Sequence, residues 1–98
     1  MWERVSAADR LALDPETGAI RSLLHNGREI LQKSETLFLL NLRSGKKVTG
    51  SDFSSVADDG EFIHFRGSRT LQGMSVTIRL YSAGDGAFRI LLHEAVLP

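Results

Sequence analysis

The sequence predicts an all-β chain, an antiparallel β-sandwich or meander of about seven to eight short strands with little helix. Three observations carry that expectation. In Met74–Tyr81, Met74, Val76, Ile78 and Leu80 fall on one side and Ser75, Thr77, Arg79 and Tyr81 on the other. That is the period of a strand with one dry and one wet face. Clusters of turn-forming Gly, Asn and Asp recur about every ten residues. No long window repeats its apolar residues at i, i+3, i+4 and i+7, the spacing that a helix needs.

Taken in order, residues 1–8 carry Trp2 and an Ala pair and fit either one helical turn or an edge strand. Asp9–Leu13 alternates, with Leu11 and Leu13 on one face. Asp14-Pro15-Glu16-Thr17-Gly18 follows as a turn, because Pro fixes φ early in it and Gly accepts a positive φ late in it. Residues 18–25 resume as a strand through Ile20, Leu23 and Leu24. Asn26-Gly27 is suited to a type I′ hairpin turn, and Arg28–Leu31 returns as a short strand. Gln32–Glu35 is a polar connection. Thr36–Arg43 is apolar on both sides, through Leu37 and Leu39 on one and Phe38, Leu40 and Leu42 on the other. This predicts a central strand covered on both faces.

Ser44–Lys47 is a polar turn. Residues 48–56 fit a loop or a weak strand anchored by Phe53 and Val56. Asp58-Asp59-Gly60 is a turn. Glu61–Arg66 alternates, with Ile63 and Phe65 opposite Phe62, His64 and Arg66. A Gly-containing connection over residues 67–73 leads into Met74–Tyr81, and Ser82–Gly86 is a loop. Residues 87–96 close the chain, with Phe88, Ile90 and Leu92 opposite Arg89, Leu91 and His93. Short loops favour antiparallel neighbours. Residues 1–98 suit a single β-sandwich domain.

Composition excludes several functions. Twelve basic and twelve acidic residues balance, so no basic excess is present to displace counterions from a phosphate backbone, and nucleic acid is not an expected partner. Without cysteine there is neither a disulfide nor a thiolate metal site. The N-terminus lacks the apolar segment of a signal peptide, and the longest apolar run, Leu37–Leu40, is too short to span a bilayer. No membrane partner is expected, and the sequence leaves the compartment open. The ending Ala95-Val96-Leu97-Pro98, apolar and just past a strand-like run, reads as a cut from something larger.

No pattern singles out a catalytic residue, a metal site or a cofactor. His25, His64 and His93 lack the close spacing of zinc-binding pairs, although His64 and His93 can meet if their strands are neighbours. Asp58, Asp59 and Glu61 lack the spacing of an EF-hand loop, and a turn explains them. No phosphate loop, dinucleotide fingerprint or nucleophile elbow is present. The ligand-binding candidates are therefore few. Trp2 and Tyr81 combine an apolar ring with a polar tip, while Arg79 and His64 lie on wet strand faces. Against these stands the plainer reading that Tyr81 closes a sheet edge and Trp2 covers one end of the core.

Residues 11–31, Leu-Ala-Leu-Asp-Pro-Glu-Thr-Gly-Ala-Ile-Arg-Ser-Leu-Leu-His-Asn-Gly-Arg-Glu-Ile-Leu, resemble the opening hairpin of galactose-mutarotase-like β-sandwich domains of glycoside hydrolases and polysaccharide-processing enzymes. Residues 71–92, with Leu-Gln-Gly-Met-Ser-Val and Gly84-Asp85-Gly86, resemble a later part of those domains more loosely. The resemblance implies the N-terminal part of such a domain, a non-catalytic accessory to a carbohydrate-active enzyme. Its expected partners are a carbohydrate and an adjoining catalytic domain. No catalytic motif of the family maps onto a position here. The alternative is a free-standing β interaction module that binds protein through an edge strand. A small enzyme is the least supported reading. If the chain is a piece of a larger sandwich, its open edges predict self-association, as a dimer that completes the sheet.

Overall fold

The computed structural model describes residues 1–82 and 87–97. It is all-β and antiparallel throughout, with ten strands in three sheets among the described residues. Strands β1 (Trp2–Ser6), β2 (Asp9–Leu13), β3 (Ile20–His25) and β4 (Arg28–Glu29) form a four-stranded meander in that order. Strands β5 (Leu40–Asn41) and β6 (Lys47–Val48) pair as a small ribbon. A 3₁₀ turn at Gly50–Asp52 then leads into β7 (Phe53–Asp58), β8 (Phe62–Ser68), β9 (Ser75–Ser82) and β10 (Phe88–Val96), a second meander in the order β10-β9-β8-β7. Seven of the ten strands run five residues or more, which accounts for the number the sequence implied.

The turn chemistry acts as expected. Asn26 and Gly27 have φ of 52° and 79°, the paired positive values of a type I′ turn, and they join β3 to β4. The Asp14 carboxylate accepts the Glu16 amide at 2.8 Å, and the Gly18 amide donates to the Asp14 carbonyl at 2.7 Å. Residues 1–8 resolve as the edge strand β1. Of the predicted loop at Ser82–Gly86, Ser82 ends β9, and residues 83–86 lie outside the described residues.

The predicted central strand at Thr36–Arg43 is corrected. Only Leu40–Asn41 pairs, with Lys47–Val48. The apolar residues before it close one end of the sandwich. Leu37 is buried, Leu39 is half exposed, and the Phe38 ring stands edge-on to Phe65 with centroids 4.9 Å apart. Thr36 Oγ1 donates to the Phe38 carbonyl at 3.0 Å, a local bond that competes with extended pairing. Apolar residues on both sides of a segment thus mark a plug here as readily as a covered strand. Opposite the plug, Gly50 allows a close approach. A Cβ there would lie 2.2 Å from the Thr17 carbonyl oxygen and 2.9 Å from the Phe65 ring.

One core lies between the meanders. Leu11 and Leu13 from the first sheet meet Phe53, Ile63, Phe65, Val76, Ile78 and Leu80 from the second, with Leu37, Val48 and Met74 from the connections. The dry face read in Met74–Tyr81 is correct, as Val76, Ile78 and Leu80 are fully or nearly fully buried. Each such side chain contributes roughly 1.5–3 kcal/mol by leaving water.

Apolar burial alone does not fix how two sheets align, and here a charged residue does so. On β1 the inward positions are Trp2, Arg4 and Ser6. Arg4 donates to both carboxylate oxygens of Asp58 at the end of β7, at 2.8 and 2.6 Å, and through Nε to the Leu80 carbonyl of β9 at 2.8 Å. Both side chains of the pair are only 8% exposed. Ser6 and Ser82 share a hydroxyl hydrogen bond of 2.7 Å across the same seam. Burial pushes the Asp58 carboxyl up, but the hydrogen bonds and charge of Arg4, with the Gly60 amide, outweigh it and hold it below the ordinary carboxylate range. Arg4→Met is expected to lose about 3–5 kcal/mol of stability, because it strands a buried carboxylate and a carbonyl. Arg4→Met/Asp58→Leu is expected to recover most of that loss. Urea unfolding of the two variants checks this, and an equal loss in both would contradict it.

Candidate functional site

The outer face of the second meander gathers most of the polar side chains that the sequence offered. The register sets Phe62 opposite Arg79 and His64 opposite Thr77, while β10 sets Leu91 opposite Arg79 and Glu94 opposite Thr77. A shallow groove of about 220 Å³ runs across these strands, lined by Phe62, His64, Arg66, Thr77, His93 and Glu94. Thr77, expected on the wet face, is only 6% exposed, because it sits on the central strand among the longer side chains lining the groove.

Of the candidates, His64, Arg79 and Tyr81 share this face, and Trp2 does not. Trp2 lies on β1 in the other sheet and packs against the core. The Arg79 guanidinium lies 3.8 Å over the Tyr81 ring, a cation–π contact that occupies one face of the ring. Arg79 also pairs with Glu61 at 2.5 Å. His64 and His93 line the same groove, but their strands are not neighbours. With β9 between them, both stand by Phe62, with ring centroids 4.7 Å away for His93 and 6.4 Å for His64.

The acidic turn is an anchored one. Asp59 contacts His64 Nε2 at 3.0 Å and accepts the Phe62 and Glu61 amides at 2.7 and 3.1 Å. The hydrogen bond from His64, then those two amides, hold the Asp59 carboxyl down at about 2. The other acids here are committed too, Asp58 to Arg4 and Glu61 to Arg79. Among the described residues no three metal-ligating side chains converge. Arg66 Nη1 donates to the Phe65 carbonyl at 3.1 Å and reaches the Val76 carbonyl at 3.5 Å. The groove presents one aromatic floor with imidazole, guanidinium, hydroxyl and carboxylate groups around it. A larger hollow of about 400 Å³ lies between Met1 and residues 14–16, where Arg21 already neutralises Asp14.

The second feature is β10. Nine residues long, it ends its sheet, and among the described residues no strand lies on its outer side. Ile90, Leu91 and Leu92 are 46%, 49% and 55% exposed. Ile90 and Leu92 stand opposite the fully buried Leu80 and Ile78, so they point to the core side, yet they remain open. The first meander does not reach beneath them. The alternation in residues 87–96 gave the strand but not this exposure, because one chain's pattern cannot show how far a second sheet extends. Arg4 and Asp58 were likewise missed, although an arginine at an alternate inward position of a strand is a readable signal.

Compared with known proteins, the chain matches no family model, no curated protein and no solved structure. The resemblance of residues 11–31 therefore rests on those residues alone. Among the described residues no helix is long and apolar enough to cross a membrane.

The electrostatics of the site give a pH dependence. Asp14, Asp58 and Asp59 are all held below the ordinary carboxylate range, so the unfolded chain binds more protons near pH 3–4 than the folded one. Their contribution is fully present above about pH 4 and is lost as pH falls through the folded values. Asp59→Asn is expected to melt lower than the wild type at pH 6, with the gap narrowing toward pH 2. Calorimetry across that range checks it, and a gap independent of pH would contradict it.

Proposed function

We propose that this chain is a β-strand docking module that takes up an extended segment along β10. The observation that supports this is the run Ile90-Leu91-Leu92, exposed on both faces of a nine-residue strand at the open end of its sheet. Soluble β-proteins usually blunt such edges with short strands or charges. The β4 edge follows that habit, with two residues, Arg28 and Glu29, whereas β10 keeps three aliphatic residues in a row. Strand addition uses main-chain hydrogen bonds for affinity and alternate side chains for specificity.

A photo-crosslinking residue in place of Leu92 is expected to yield discrete adducts, and one in place of the exposed Lys33 is not. In the purified Leu92 adduct the amides of β10 are expected to exchange more slowly than in the free chain. Equal crosslinking from both positions, or unchanged exchange, contradicts the reading.

A second reading draws on the groove. Phe62 surrounded by hydrogen-bonding side chains is the kind of surface that accepts a saccharide. It would suit an accessory domain beside the catalytic domain of a carbohydrate-active enzyme. On this reading, an oligosaccharide panel shifts the imidazole resonances of His64 and His93 while leaving the Trp2 indole in place. No shift at either histidine rejects it.

A further inference from the structure

We propose that the segment taken up by β10 is β10 of a second copy of this chain, antiparallel, with a two-fold axis through Leu91. The inference rests on the docking reading and names its partner. It comes from the register. Along β10, Leu92 faces Ile78 and Glu94 faces Thr77, so His93 is the extra residue of a β-bulge. The bulge changes which residues share a face. Arg89, Leu91, Glu94 and Val96 stand with Tyr81, Arg79, Thr77 and Ser75, while Phe88, Ile90, Leu92 and Ala95 stand with Ser82, Leu80, Ile78 and Val76.

Residues directly opposite in an antiparallel pair share a face. With Leu91 opposite its symmetry mate and both His93 residues bulged out, every pairing obeys that rule. Ile90 meets Leu92 on the core side, Arg89 meets Glu94 on the outer side, and Phe88 meets Ala95 on the core side. Each contact occurs twice. Neighbouring registers lose this complementarity. An axis at Ile90 sets Arg89 against Leu91 and Glu94 against Ala87. An axis at Leu92 sets Arg89 against Val96 and Glu94 against Leu91. Only the Leu91 axis among these three pairs the unlike charges and buries the Ile90-Leu91-Leu92 run at the centre. The two four-stranded sheets then continue as one, and the inner-face Ile90 and Leu92 of both copies cover one another beyond the rim of the first meander.

Two variants test it in the full chain. The protein has no cysteine, so Leu91→Cys introduces a single thiol that can only bridge copies. Antiparallel partners lie about 4.5–5.5 Å apart between Cα atoms, within disulfide reach. Mild oxidation is expected to link Leu91→Cys at least about tenfold faster than Leu39→Cys, an equally exposed control. Leu91→Glu sets two carboxylates against each other on the axis, while within its own chain the new carboxylate lies beside Arg79. Sedimentation equilibrium is expected to show a wild-type dimer, and a dissociation constant at least about tenfold higher for Leu91→Glu with its circular dichroism unchanged. A wild type that stays monomeric at the highest attainable concentration overturns the inference. So does a dimer equally tight in Leu91→Glu, or linking of Leu91→Cys no faster than of Leu39→Cys. A monomeric wild type whose Leu92 crosslinker still captures other strands would sink the second copy alone and leave the docking reading standing.

Discussion

The fold depends on one buried arginine. Each meander is local, built from neighbouring strands joined by short turns, and would bury little surface by itself. They become one body through the shared core and through the seam from β1 to the far sheet, where Arg4 reaches Asp58 and the Leu80 carbonyl and Ser6 reaches Ser82, contacts spanning 54 to 76 residues of sequence. Apolar burial supplies the larger share of free energy but has no direction. The bidentate pair has direction, and it stays charged because every Arg4 nitrogen finds an oxygen. A buried ion pair adds little net stability over a well-packed apolar substitute. Its value here lies in alignment, since both charges are satisfied with the first sheet placed as it is on the second.

That placement also decides where the molecule is open. With β1 fixed over β9, the first meander covers Val76, Ile78 and Leu80 and stops short of Ile90 and Leu92. The open edge is thus a consequence of the seam rather than a local peculiarity of β10. On the opposite face of the same sheet, the bulge at His93 brings that ring against Phe62 and closes one side of the groove. The irregularity in β10 thus shapes the groove, while the seam leaves the aliphatic run of the same strand open.

Much of the fold was legible because its signals are local. The dry side of Met74–Tyr81, the Asn26-Gly27 turn and the Asp58-Asp59-Gly60 turn each report on a few neighbouring residues and are found as read, whereas Thr77 on the expected wet side is buried. The failures share a cause. Leu37 and Phe38 form a plug rather than a strand because a distant aromatic cluster, Phe53 and Phe65, offers them a better surface. The candidate site was half legible. His64, Arg79 and Tyr81 were placed on wet faces, but their grouping across β8 and β9 needed the strand order. Trp2 separated from them because β1 belongs to the other sheet. Arg4 was overlooked because charge on a strand is ordinarily assigned to water.

Native-state hydrogen exchange tests the central claim most directly. If the Arg4 seam welds the meanders into one cooperative unit, the slowest amides of Leu11 and Leu13 in the first sheet and of Ile63 and Ile78 in the second open with the same free energy, equal to that of global unfolding. If the first sheet instead opens at a distinctly lower free energy while the second stays protected, the two meanders are independent and the seam does not hold the fold together.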